Sequence, residues 1–148
     1  MFLTHPPACQ FRVDVQDAQH PVTQGLAKSF EVEDEPYFIE LQAPTSVQIL
    51  LTADYGAVGK WPVVETLYGS DTSVQSDRKT RVLGYTRPVG GGAVTYLALG
   101  HCHNPYSRMG RSAADAREPP ATFRGPWETV AFTTLLSNAI AWATCTTS

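Results

Sequence analysis

The side chains best suited to chemistry fall in four places along the chain. His101, Cys102 and His103 are consecutive. On an extended backbone the two imidazoles point to one side and the thiol to the other, so three adjacent ligands make an awkward metal site. A metal near His101 and His103, completed by Asp54 or Glu35, stays open. His101 alone is better suited to substrate binding or proton transfer, because it stands where an apolar run stops beside a long polar stretch. Asp34 and Glu35 form the densest carboxylate group and lead into Pro36–Tyr37. Consecutive side chains of an extended segment diverge, so one carboxylate is expected in a cleft and the other in solvent, unless the pair is simply an acidic loop. Arg87 can hold an anion or fix a carboxylate with its planar fork, or stand exposed on a hairpin. His20, before Pro21, reads either as a loop cap or as a site residue.

Those side chains need elements to carry them. Segment 11–15 alternates apolar and polar residues and predicts a short strand at an edge of the sheet. Segment 29–41 is divided by Pro36 and predicts two short extended pieces rather than one central strand. Segment 46–54, with Val47, Ile49, Leu50 and Leu51, predicts a strand covered on both faces. Segments 81–87 and 93–100 flank the glycine-rich connection 88–92 and predict a hairpin, with the second arm central. That arm ends at Gly100–His101, and polar residues at strand ends are where α/β proteins place ligands. The stretch 126–143 predicts a helix opened by Pro126, with Glu128 in its first turn. Segments 55–80 and 101–125 lack periodicity and read as excursions, the second as a lid, a substrate loop or a surface insertion. Strands, a hairpin and a terminal amphipathic helix indicate α/β rather than an all-β sandwich.

Composition narrows the function classes. The chain has 148 residues, 43% hydrophobic and 17% charged, enough for one domain with its own core. A formal charge of -3 and no concentrated basic surface argue against nucleic acid. The most basic stretch, 76–81, is interrupted by Asp77 and reads as a solvated loop. No run approaches the roughly 20 apolar residues of a membrane span, and the first residues lack the pattern of a secretory signal. A cytoplasmic location is expected, with no membrane partner. Cys9, Cys102 and Cys145 form neither a CxxC pair nor a disulfide framework. No nucleotide-loop, dinucleotide, zinc-protease or calcium-loop motif is present, and no cofactor is expected. Trp61, Trp127 and Trp142 read as packing residues.

Several ordered segments carry a resemblance. HPVTQGL (20–26), FEVEDEPYFIEL (30–41), GYTRPVGGGAVTYLALGHCHNPY (84–106) and FTTLLSNAIAWA (132–143) closely resemble the ThuA-like family, named for trehalose utilisation. The resemblance implies a flavodoxin-like, class I glutamine-amidotransferase-like α/β sheet with flanking helices. It spans nearly the whole chain as one domain, 1–148, shortened at its N-terminal side. It implies a site built from His20, Asp34, Glu35, Tyr37, Arg87 and His101, with a sugar or related polyhydroxylated ligand. In that site Arg87 holds an anionic or hydroxyl-rich group, Glu35 and His101 share or transfer a proton, and Tyr37 stacks on a sugar or donates a hydrogen bond. His5–Pro6 resembles a loop at the family cleft. Cys102 does not match the strand-to-helix elbow of an amidotransferase nucleophile. A sheet edge left open by the shortening implies a homo-oligomer. The alternatives are a non-catalytic oligomeric or accessory protein and, third, a metal-dependent hydrolase.

Overall fold

Alternating stretches and short apolar runs give the chain its strands, and the computed structural model describes them within residues 2–56, 72–104 and 122–145. In chain order they are β1 (Phe2–Thr4), β2 (Cys9–Val15), β3 (Ser29–Asp34), β4 (Phe38–Ile39), β5 (Gln48–Asp54), β6 (Thr80–Val89) and β7 (Gly92–Leu97). One α-helix, α1 (Val130–Cys145), follows. The main sheet has the order β3-β2-β5-β6-β7, and β1 pairs with β4 apart from it. Every pairing in the main sheet is antiparallel. The described architecture is therefore a mixed α/β arrangement of an antiparallel sheet and a C-terminal helix.

Pro36 separates β3 from β4 as expected, since its missing N–H cannot join a ladder. The hairpin also forms, turning at Gly90 and Gly91 between β6 and β7. Three expectations are corrected. Segment 11–15 is not at an edge, because β2 lies between β3 and β5. The second hairpin arm is not central, because β7 ends the order of the described sheet. Pro126 opens a 3-10 turn, Gly125–Glu128, rather than the helix. Thr129 is extended, and its hydroxyl accepts the Phe132 N–H at 3.3 Å, so the helix proper begins after it.

Coverage of both faces shows in β5, where Leu50, Leu51, Thr52 and Ala53 are all buried. A shift of register between Ile49 and Leu51 breaks strict alternation, and Leu50 and Leu51 both join the main core. That core gathers Phe11, Val13, Leu51 and Leu83 with Phe132 and Leu135 of α1. Burying side chains such as the last two stabilises by roughly 1.5–3 kcal/mol each. A smaller cluster of Ile39, Leu41 and Val82 packs with Tyr85 and Tyr96. Asn138 Nδ2 ties the helix to the turn after β2, donating to the carbonyls of Val22 at 3.3 Å and Gln24 at 2.8 Å. Most of the expected 55–80 and 101–125 excursions, 57–71 and 105–121, lies outside the described residues.

Candidate functional site

Asp34 closes β3 and is fully buried. Its Oδ1 accepts the N–H groups of Glu35 at 2.8 Å and His101 at 3.1 Å, and its Oδ2 accepts that of Gly100 at 2.7 Å. One carboxylate thus fastens the end of β3 to the turn that follows β7. Burial pushes its pKa up, against the opposing pull of the three backbone donors and of His101. Asp34 is therefore a positioning group, and neither carboxylate of the pair is solvated, because Glu35 is also buried. Packing rather than divergence decides this: Pro36, fully buried, and Tyr37 fold the segment inward.

Two glycines let the turn close. Gly100 has φ +109, and a Cβ there would stand 2.9 Å from the Phe132 ring. Gly125 has φ +52, and a Cβ there would overlap the His101 carbonyl. Trp127 Nε1 donates to the Gly100 carbonyl at 2.9 Å, and its ring meets Phe132 edge-on. The start of the helical region thereby braces the segment that carries His101.

On this frame the Tyr37 hydroxyl lies 2.9 Å from His101 Nδ1, and His101 Nε2 lies 3.3 Å from Glu35 Oε2. The arrangement that satisfies both contacts has Tyr37 donating to Nδ1 and the ring hydrogen on Nε2, facing Glu35. Burial, then the charges of Glu35 and Asp34, raise the Tyr37 pKa, which keeps the phenol a donor. His5 approaches the same carboxylate oxygen, with Nδ1 3.4 Å from Glu35 Oε2 and 3.0 Å from the Pro6 carbonyl. It also meets Tyr37 edge-on at 5.7 Å. Chemically, this is a hydroxyl, an imidazole and a carboxylate in series, with a second imidazole beside the carboxylate.

His103 lies next to the series, its ring 5.7 Å from that of His101 and packed on Phe123. His103 and Phe123 exchange two backbone hydrogen bonds at 2.9 Å. Cys102 is exposed, consistent with a side chain turned away from its histidine neighbours. Asp54, considered as a completing metal ligand, instead pairs with Lys79 at 3.0 Å. Among the described residues no group of three or more His, Cys, Asp or Glu is spaced to hold a metal ion. No described helix is long and apolar enough to cross a membrane.

The sequence-derived candidates therefore divide. Asp34, Glu35, Tyr37 and His101 come together. Arg87 and His20 instead line a separate cleft with Trp142, toward the other end of α1. His20 caps the 3-10 turn Pro21–Thr23, its Nδ1 accepting the Val22 N–H at 3.2 Å. Sequence reasoning saw His5 only through a resemblance of the His5–Pro6 segment, and it took Trp127 for packing alone. A histidine before a proline was the available signal for the first, and nothing in spacing indicates the second.

Comparison with known proteins bears on the family and the fold. The family model described as ThuA, trehalose utilisation, matches residues 1–111. Among solved structures, a ThuA-like protein of Parabacteroides merdae is similar at a TM-score of 0.57 with 18% identity. The match covers 96% of this chain and 41% of that one, so the chain spans less than half the length of that relative. No curated protein matches the sequence.

Proposed function

The chain belongs to the ThuA family, and from that membership and the Tyr37–His101–Glu35 series we propose that it binds, and moves a proton on, a sugar or related polyhydroxylated small molecule. The observation that carries this reading is the continuity of the series, 2.9 Å from Tyr37 to His101 and 3.3 Å on to Glu35. A ligand hydroxyl hydrogen-bonded to Tyr37 Oη gives its proton to that oxygen as the Tyr37 proton passes to His101 Nδ1. The Nε2 hydrogen then moves toward Glu35. Such contacts commonly shorten when a ligand closes the site. Asp34 holds the backbone of Glu35 and His101 in register, and His5 adds a second polar group at the carboxylate.

The test is a calorimetric screen of the protein against trehalose, glucose and a keto-sugar, repeated with His101→Ala and Glu35→Ala. Saturable binding that both variants abolish is the expected result. No binding by any of the three, or binding unchanged in both variants, overturns it.

The finer fold assignment, a flavodoxin-like, class I glutamine-amidotransferase-like sheet, is part of the same proposal, supported by the fold similarity to the Parabacteroides protein. So is a cytoplasmic location, which Cys9 and Cys102, neither of them in a disulfide, suit. One observation favours a second reading, an oligomeric accessory protein. The 16 residues of α1 carry no charge, and Val130 and Ile140 on it are 81% and 59% exposed. An uncharged face can meet its own copy without repulsion. Light scattering at low micromolar concentration that finds only monomer removes the self-association.

A further inference from the structure

The cleft that holds His20 and Arg87 lies apart from the Tyr37–His101–Glu35 series. The series sits by Gly100 and Phe132, near the start of α1, whereas the cleft sits by Trp142 near its end. At about 1.5 Å per residue these two helix positions are about 15 Å apart. The cleft encloses about 420 Å³, a volume suited to a small molecule.

Its chemistry is one-sided. Arg87, half-buried on β6, has no carboxylate partner among the described residues, and none of the residues lining the cleft is acidic. Because His20 Nδ1 accepts from Val22, its ring hydrogen is on Nε2, which makes that nitrogen a donor. Asp17, which adjoins the cleft through Gln48, is already engaged. Its Oδ1 accepts the Gln19 and His20 N–H groups at 2.9 and 3.2 Å, and its Oδ2 accepts Gln48 Nε2 at 2.7 Å. Trp142 supplies an indole, backed by the His20 ring at 5.3 Å. Ser46, whose hydroxyl donates to the Ala43 carbonyl at 2.9 Å, retains oxygen lone pairs for a ligand hydroxyl.

We propose that this cleft is a second ligand site, taking a small hydroxylated ring that bears a phosphate or carboxylate. Arg87 grips the oxyanion through its fork, His20 Nε2 adds a donor, and the ring lies against Trp142. The inference does not rest on the proton-transfer reading, since no residue is shared between the two sites.

The experiment follows the indole N–H resonance of Trp142, identified with Trp142→Phe, in the full chain. Glucose 6-phosphate and gluconate separate phosphate from carboxylate, and glucose is the uncharged control. The expected result is a saturable shift with at least one anion up to about 10 mM, the range in which a weak site is visible, and none with glucose. Arg87→Gln is expected to weaken binding about tenfold or more. His101→Ala is expected to leave it unchanged. If Arg87→Gln fails to fold, Arg87→Lys replaces it, with weakened binding expected from loss of the fork. The proposal is overturned by no shift with either anion, by an equal shift with glucose, by binding indifferent to the Arg87 substitution, or by loss of binding in His101→Ala.

Discussion

The Tyr37 hydroxyl is hydrogen-bonded to His101 Nδ1 at 2.9 Å across 64 positions of sequence. The contact fixes which imidazole nitrogen accepts and leaves the other to face Glu35 Oε2 at 3.3 Å. A histidine held from both sides presents one tautomer. Nitrogen chemical shifts of the neutral His101 ring are therefore expected to show hydrogen on Nε2. Tyr37→Phe removes the donor that enforces this, and a mixture of tautomers is the expected outcome. An unchanged spectrum would mean that Tyr37 does not orient the ring.

Tyr37 itself gives a pH dependence. Its folded pKa is raised above 10.0, first by burial and then by the nearby carboxylates. Between that value and the higher folded one the native state binds more protons than the unfolded state. The stability associated with the neutral phenol is therefore complete below about pH 10 and lost as pH rises through the folded value. In a spectrophotometric titration, subtracting Tyr37→Phe from the native protein should leave a phenol that ionises later than free tyrosine. An ordinary or early titration contradicts the assignment.

Asp34→Asn should destabilise. The amide cannot accept three backbone donors as the carboxylate does, and one or more N–H groups of Glu35, Gly100 and His101 loses its partner. A loss of about 1–3 kcal/mol is expected in denaturant unfolding, with faster amide exchange at Gly100 and His101. Equal exchange in both proteins would show that the turn is held by other contacts.

Gly100→Ala tests the same turn from the other side. A side chain at φ +109 is strained, and the Phe132 ring stands in its way. The expected cost is about 1–3 kcal/mol, read as a lower melting temperature. Shrinking the obstacle with Phe132→Leu in the Gly100→Ala background should relieve the steric part and leave the backbone part. If the double substitution is simply additive, the two residues do not oppose each other.

Much of this arrangement was legible in sequence because it depends on local rules. Pro36 had to divide β3 from β4, and three glycines between two β-rich arms had to make a turn. Glu35 and His101 stood out separately because a carboxylate group and a strand end are both visible in one dimension, whereas their grouping with Tyr37 rested on the family resemblance. Neighbour choice was not legible. The alternation of segment 11–15 says that one face is buried but not that two strands flank it, and β7 reads as apolar whether it is internal or terminal. Nor does spacing reveal which end of a helix a loop will reach, so nothing in the residues themselves could separate Arg87 and His20 from His101, with which the resemblance grouped them. Asp34 looked like a ligand group because two of its three backbone donors, those of Gly100 and His101, belong to residues that only folding brings near.

The paired hydrogen bonds between His103 and Phe123 act as a clasp beside the site. They join two points of the chain that flank the site, two residues beyond His101 and two before Gly125. The free energy of closing a loop grows only slowly with its length, so a clasp between residues distant in sequence costs little more than one between near neighbours. A substitution that weakens the clasp is therefore expected to be felt first at His101 and Gly125, which lie together beside the Asp34 carboxylate.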